Sequence, residues 1–102
     1  MTGAITEVLP GYLRNPAPPY PLQSRSRGEE GTVVVRVEIL PSGRCGTVAT
    51  VRSSGYARLD QAAVQAVRRW VFKPAVRWSH PIELQVEIPI TFRLTDHTGR
   101  LQ

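Results

Sequence analysis

The fold is decided by the stretch IELQVEIPITFRL (residues 82–94), which lies near the C-terminus of the 102-residue chain. Apolar side chains alternate along it with polar residues or proline, and a period of two places successive side chains on opposite faces of a β-strand. We therefore predict a long strand with one buried face. The side chains predicted on that face are Ile82, Leu84, Val86, Ile88, Ile90, Phe92 and Leu94.

Proline 89 lies inside this strand. Proline has no N–H for a sheet ladder, so within a strand it favours an edge or a bulge. Successive residues of a strand point their backbone groups to opposite sides, so an outward-facing Pro89 places the backbone groups of every second neighbour on the same open side. We therefore predict an edge strand whose outer row of backbone groups belongs to Glu83, Gln85, Glu87, Pro89, Thr91 and Arg93.

Two interpretations of this edge remain open. A long exposed edge promotes aggregation, and natural proteins protect such edges with charges and prolines, a role that fits Glu83, Glu87, Pro89 and Arg93. The same edge could also accept an extended segment of another protein by β-strand addition. Strand addition requires an open outer side, so pairing on both sides within the chain would exclude it.

The middle of the chain predicts a hairpin and a helix. Residues 32–40 (TVVVRVEIL) alternate like the last strand, residues 41–43 (PSG) are typical of a turn, and residues 47–53 return as a second strand. A helical pattern follows the break at residues 53–55 (SSG) and runs from about residue 57 towards Trp70. Upstream, residues 22–27 could form a short helix that ends at Gly28.

These elements predict an α+β fold. Short connections favour a three-stranded antiparallel sheet of order 2-1-3, with the helix packed on one face and with Trp70 and Phe72 in the core. We divide the chain into an extended proline-rich arm (1–19), one domain (20–94) and a flexible tail (95–102). A linker is the alternative interpretation of the arm.

Composition excludes several classes of function. The single cysteine, Cys45, excludes an intramolecular disulfide and a cysteine-rich metal site. Cys45, His80 and His97 do not lie at a catalytic or metal-ligand spacing, so we expect no enzyme, no metal and no cofactor. No apolar stretch is long enough to span a bilayer, and we expect any membrane anchor to lie upstream of this sequence.

Several short motifs occur together and in a characteristic order. They are YP (20–21), GEEG (28–31) before the first strand, GR (43–44), RSSG (52–55), LDQAA (59–63), RRWVFKPA (68–75) and VEIPITF (86–92). In this order the chain resembles the TonB C-terminal domain family, over about residues 15–94. Ser24, Ser26 and the loop at residues 78–80 depart from the family's usual pattern.

The resemblance implies a periplasmic domain that binds the TonB box and the plug of outer-membrane TonB-dependent transporters by strand addition. It further implies an N-terminal inner-membrane anchor, force from a proton-driven ExbB-ExbD motor, and uptake of substrates such as siderophore-iron or haem. The partner-binding residues that it implies are Glu83, Gln85, Glu87, Pro89, Thr91 and Arg93 in the strand, and Pro18, Pro19, Tyr20 and Pro21 in the arm. A second copy of the chain is another candidate for the free edge.

Two alternatives are carried beside this one. A TolA-like envelope coupling domain would use a similar fold. From a different class, the net charge of +5 allows a basic nucleic-acid-binding module, although the basic residues are scattered. Its candidate contacts are Arg25, Arg27, Arg68, Arg69, Lys73 and Arg77, with Tyr56 or Trp78 stacking on bases. We expect no nucleic-acid partner.

Overall fold

A computed structural model describes residues 2–8 and 15–96. Parts of the predicted arm and tail, including His97, lie outside the described residues. The elements are β1 (Thr2–Val8), α1 (Leu22–Arg27), β2 (Gly31–Ile39), β3 (Cys45–Arg52), α2 (Ala57–Val67), β4 (Ala75–Arg77), β5 (His80–Ile82) and β6 (Leu84–Asp96).

The α+β fold and the order of the three predicted strands are confirmed. β6 pairs antiparallel with β2, from Gly31 opposite Phe92 to Ile39 opposite Leu84, and β3 pairs antiparallel with the other side of β2. In the predicted numbering of strands this arrangement is the order 2-1-3. Helix α2 packs on β2 and β3.

A fourth strand corrects the prediction that the whole outer side of the last strand is open. β1 pairs antiparallel with β6, from Thr2 opposite Asp96 to Val8 opposite Ile90, which gives the sheet order β1-β6-β2-β3. The prediction of an open outer side is therefore wrong for Thr91 and Arg93, and Thr95 and Asp96, predicted as part of the flexible tail, belong to β6. Residues 93–96 of β6 extend beyond Gly31, the first residue of β2, and β1 is their neighbouring strand.

The core lies between the sheet and α2. The centre of β6 confirms the predicted buried face, because Ile88, Ile90 and Phe92 are fully buried, whereas Leu84 at its beginning is 42% exposed. Trp70 and Phe72 are buried as predicted, at 2% and 8% exposure. The other buried apolar side chains are Val33, Val35, Val37, Ile39, Val48, Leu59, Ala63, Ala66 and Val67.

The turn between β2 and β3 fixes the segment that follows α2. Gly43 has φ +90°, which favours glycine, and its carbonyl accepts a hydrogen bond of 2.8 Å from the Phe72 N–H. The Cys45 thiol donates to the Val67 carbonyl at 2.9 Å. These contacts place Trp70 and Phe72 over the sheet, although helix α2 itself ends at Val67.

A hairpin formed by β4 and β5 was not predicted. It pairs residues 75–77 with residues 80–82. Of these, Ile82 was predicted to belong to the last strand. Its two turn residues, Trp78 and Ser79, have φ values of 53° and 66°. Trp78 is 87% exposed at the tip. The turn carries neither glycine nor asparagine, so the usual sequence signal of a two-residue hairpin is absent.

The described part of the arm is fixed to the domain. The Asn15 side chain donates to the Val71 carbonyl and accepts from the Val71 N–H, both at 3.1 Å. The Trp70 indole N–H donates to the Pro16 carbonyl at 2.8 Å. The arm therefore follows a defined path from Asn15 to α1.

Helix α1 is joined to α2 by a buried polar contact. The helix ends at Gly28, whose φ of 71° closes it in the left-handed conformation. The fully buried Ser24 hydroxyl donates to Glu29 Oε1 at 2.8 Å, and Arg58 of α2 donates to Glu29 Oε2 at 3.3 Å. Ser24 is therefore a structural residue that helps to neutralise and position a buried carboxylate.

Replacing Ser24 with alanine is expected to lower the free energy of unfolding by about 1–2 kcal/mol, because Glu29 then loses a buried, charge-assisted hydrogen bond. The matched control is Ser26→Ala, which removes an exposed hydroxyl that donates to the Leu22 carbonyl at 3.2 Å. The control should change stability by less than about 0.5 kcal/mol. Urea unfolding of both variants measures the difference, and equal effects would contradict the assigned role of Ser24.

Candidate partner-binding edge

The direction of the β6 backbone follows from one hydrogen bond at its end. The Leu94 N–H donates to Glu30 Oε2 at 2.6 Å, and Glu30 directly precedes β2. The Leu94 backbone groups therefore point to the β2 side of the strand. Because backbone direction alternates, residues 85, 87, 89, 91 and 93 point to the outer side, and the N–H that Pro89 lacks would have been on that side.

The outer side of β6 has two sections. In the covered section, residues 90–96, it pairs with β1. In the open section, residues 84–89, no strand of the described part of the chain pairs with it. The last described pair is Val8 opposite Ile90, one position before Pro89, which has no N–H to offer a neighbouring strand. The open section presents the backbone N–H and C=O groups of Gln85 and Glu87.

Two side-chain pairs join β6 to β2 on the face of the sheet opposite the core. Glu87 Oε2 and Arg36 Nη2 are 3.1 Å apart, and both side chains are about half exposed, at 52% and 50%. The hydroxyls of Thr91 and Thr32 are 2.9 Å apart. An exposed ion pair of this kind contributes little stability. The pairs hold the register of β6 on β2 and leave its outer backbone groups unaffected.

Two carboxyl groups interact at the beginning of the open section. A hydrogen bond to Glu38 and the negative charge of Glu38 raise the pKa of Glu83 above its ordinary value. The hydrogen bond from Glu83, followed by one from the Thr47 backbone, lowers the pKa of Glu38. The Thr47 N–H lies 3.1 Å from Glu38 Oε1. The pair therefore shares one proton over a range of acidic pH.

Tyr20 is packed into the domain. Its ring meets Phe92 of β6 edge-on, with the ring centroids 5.3 Å apart, and its hydroxyl donates to the Glu29 carbonyl. Burial, followed by the charges of Glu30 and Glu29, raises the pKa of the Tyr20 hydroxyl. Pro18 is buried as well. These two residues therefore position the arm, with Pro18 buried and Tyr20 half-buried.

Pro19 and Pro21 line a groove against α2. The groove has a volume of about 300 Å³, and its other wall includes Arg58 and Arg69. Gln61 and Gln65 of α2 also line it. Of the predicted arm residues, Tyr20 thus contacts β6, whereas Pro19 and Pro21 form a separate surface with the helix.

β1 is the element beside the candidate edge that sequence reasoning missed. Four of the seven residues in TGAITEV (2–8) are β-branched, which is a signal of strand propensity. The stretch lies within the predicted arm, where the prolines of residues 16–21 dominated the interpretation. Of the predicted strand residues, Glu83, Gln85, Glu87 and Arg93 have exposed side chains and Pro89 and Thr91 are half-buried, but the outer backbone groups of Thr91 and Arg93 are covered by β1.

The described residues give little support for a metal site, a reactive thiol or a membrane-spanning helix. Within residues 2–8 and 15–96, no three side chains of histidine, cysteine, aspartate or glutamate are placed to hold a metal ion. Burial raises the pKa of the Cys45 thiol, which keeps it in its unreactive protonated form. Neither described helix has the length and apolar character needed to cross a membrane.

Comparison with known proteins identifies the family. Residues 16–94 match the family model described as Gram-negative bacterial TonB protein C-terminal. The chain is 50% identical over 84 residues to Protein tonB2 of Pseudomonas aeruginosa, covering 82% of this chain and 31% of that protein. It is 36% identical over 77 residues to Protein TonB of Vibrio cholerae, covering 76% of this chain and 32% of the relative. The chain thus spans about a third of the length of these curated relatives.

The solution NMR structure of the Pseudomonas aeruginosa TonB CTD has a similar fold. The TM-score is 0.55 at 25% identity, and the match covers 87% of this chain and 81% of the other. The family resemblance seen in the sequence is therefore confirmed, and with it the expectation that the chain is not an enzyme. The chain belongs to the TonB C-terminal domain family.

Proposed function

We propose that this domain binds outer-membrane TonB-dependent transporters by accepting the transporter's TonB box as an additional strand on the outer side of β6. The observation that carries the proposal is the open section, residues 84–89, whose outward backbone groups pair with no strand of the described residues. An extended segment can satisfy these groups by β-strand addition. The family assignment, which names proteins of transport and energy transduction, supports the same function.

A strand-added partner suits the transmission of force. Each backbone hydrogen bond contributes only about 0.5–1.5 kcal/mol net, but bonds that are pulled along the strand direction share the load. Backbone pairing requires little of the partner's sequence. The exposed side chains of Gln85 and Glu87 then tune which TonB box binds, because they lie beside the added strand.

The arm provides a second contact surface in this proposal. Tyr20 and Pro18 hold the arm against the domain. The groove lined by Pro19, Pro21, Arg58 and Arg69 presents two guanidinium groups to a partner. Arg58 is already engaged with Glu29 at 3.3 Å, so Arg69 is the better candidate for an acidic group of the transporter plug. The arm thus orients the domain while β6 holds the TonB box.

The remaining steps of the proposal concern the protein to which this domain belongs. The domain works in the periplasm, and an inner-membrane anchor outside this sequence joins it to an ExbB-ExbD motor. Proton-driven motion of the motor passes through the domain to the transporter and drives uptake of a cargo such as siderophore-iron or haem. A homodimer formed through the open section would compete with the transporter for the same backbone groups.

Replacing Gln85 with proline is expected to weaken binding of a synthetic TonB-box peptide roughly tenfold or more. The change removes an outward N–H and leaves a peptide carbonyl without its partner. The matched control, Gln85→Ala, changes the side chain and keeps the N–H, so it should bind within about threefold of wild type. Titration of ¹⁵N-labelled protein, followed through the amide shifts of residues 84–92, measures both.

The same titration distinguishes the alternatives. Equal peptide binding by Gln85→Pro and Gln85→Ala would show that the open section does not accept the peptide. Steeply salt-dependent binding of random oligonucleotides, with shifts at Arg68, Arg69 and Trp78, would instead favour the nucleic-acid-binding module. Retention of the wild-type amide spectrum outside β6 confirms that the proline variant is folded.

The carboxyl pair at the start of the open section makes a separate prediction. Replacing Glu38 with glutamine should lower the pKa of Glu83, because the amide removes the negative charge that now opposes ionisation of Glu83. The raised pKa of Glu83 stabilises the folded state at acidic pH, and this contribution is lost as pH rises through that pKa. The lowered pKa of Glu38 acts in the opposite sense, because its contribution is lost as pH falls through the pKa of Glu38.

Carboxyl-detected NMR titration of Glu83 tests this prediction. Glu30→Gln is the control, because Glu30 lies beside Gly31 at the opposite end of β2 from Glu38. It should leave the pKa of Glu83 unchanged. An unchanged pKa of Glu83 in Glu38→Gln would show that the two carboxyl groups do not interact.

A further inference from the structure

β1 occupies part of the edge that the proposed function assigns to a transporter. Its seven residues lie opposite residues 90–96 of β6, and two predicted partner-binding residues, Thr91 and Arg93, face Glu7 and Ile5. A backbone N–H or C=O that completes the ladder with β1 cannot at the same time complete one with another strand. An added strand that reaches residues 90–93 must therefore displace β1.

The open section gives an incoming segment a first point of attachment. Residues 84–89 pair with β2 on their inner side and with no described strand on their outer side. We propose that β1 is an intramolecular occupant of the partner-binding edge, and that an incoming extended segment binds residues 84–89 first and then displaces β1 from residues 90–96. The inference rests on the proposed function only for the identity of that segment.

The structure indicates why β1 can be displaced. β1 is the outermost strand and pairs only with β6 in the sheet. Beyond Phe92, which faces Gly31, β6 has no further β2 partner, so β1 and β6 form a two-stranded ribbon there. Two-stranded ribbons are marginally stable in water. Of the β1 side chains, Ala4 and Thr6 are small and only half-buried, so each contributes little buried apolar surface.

Displacement of β1 would regulate how tightly the β6 edge binds a partner strand. The apparent affinity for a partner is reduced by the fraction of molecules whose edge is accessible. If β1 covers residues 90–96 in about nine molecules of ten, binding across the whole strand is weakened about tenfold. A segment that is long enough to span both sections gains most from displacing β1, whereas one confined to residues 84–89 is unaffected.

The test uses two proline variants of the full chain. Ile5 lies opposite Arg93, whose backbone groups point outward, so Ile5 points its own N–H towards β6. Ala4 lies opposite Leu94, whose N–H points to Glu30, so the N–H of Ala4 points away from β6. Ile5→Pro therefore removes a bond between β1 and β6, and Ala4→Pro is the matched control that does not.

The probes are a synthetic peptide with the sequence of residues 2–8, capped at both ends, and a synthetic TonB-box peptide. We expect Ile5→Pro to bind both probes about tenfold more tightly than wild type or Ala4→Pro, because its edge is accessible in most molecules. Isothermal titration gives the affinities. The amide shifts of Thr91 and Arg93 show whether the covered section takes part in binding.

A reversible crosslink tests the same idea in the opposite direction. Ala4 and Leu94 form a pair that does not exchange backbone hydrogen bonds, the closer of the two antiparallel pair types, so a disulfide between cysteines at these positions would tie β1 to β6. Cys45→Ser removes the native thiol. Adding the 2–8 peptide to the oxidised variant Ala4→Cys/Leu94→Cys/Cys45→Ser should not shift the amides of Thr91 and Arg93, and reduction should restore these shifts.

The outcomes separate this inference from the proposed function. Equal affinities of wild type and Ile5→Pro for both probes would overturn the inference, and TonB-box binding by both proteins would then leave the proposed function intact. Tighter binding of the 2–8 peptide by Ile5→Pro, with TonB-box binding by neither protein, would support displacement of β1 and contradict the proposed function. Shifts of the Thr91 and Arg93 amides when the 2–8 peptide is added to the oxidised crosslinked variant would also overturn the inference.

Discussion

The antiparallel ladder between β2 and β6 is the constraint on which the rest of the structure depends. It pairs residues 31–39 with residues 84–92 and turns Val33, Val35, Ile88 and Ile90 towards the core. A slip of one residue would bring the polar set into the core and would turn the missing N–H of Pro89 towards β2. The same register therefore fixes both the buried face and the outward row of backbone groups.

Sequence reasoning predicted the parts of the fold in which the alternation of apolar and polar residues continues along a whole strand. The alternation in β2 and β6 gave the strands, their buried faces and their order, and Pro89 gave the direction of the outer backbone groups. β1 could not be predicted in the same way, because its position depends on how far β6 extends beyond β2. The hairpin tip at Trp78 and Ser79 lacks the glycine or asparagine that would have marked its turn.

The candidate site was predicted less completely than the fold because burial changes the role of a residue without changing its type. Ser24 is a departure from the family's pattern in the sequence, yet it is fully buried and donates to Glu29. Tyr20, predicted to contact a partner, packs its ring against Phe92 and remains half-buried. Of the arm residues, the exposed Pro19 and the half-buried Pro21 keep accessible surface along a groove.

Protection of the edge and binding of a partner, which the sequence leaves as alternatives, need not exclude each other. The covered section contains the buried Ile90 and Phe92, and β1 pairs with its outer backbone groups. The open section carries Glu87 and Pro89, and Glu83 directly precedes it; these residue types discourage pairing with the wrong strand. If an incoming segment displaces β1, as proposed, the edge is protected along its whole length in the absence of a partner. The open section then selects the partner, and that partner displaces β1 from the covered section.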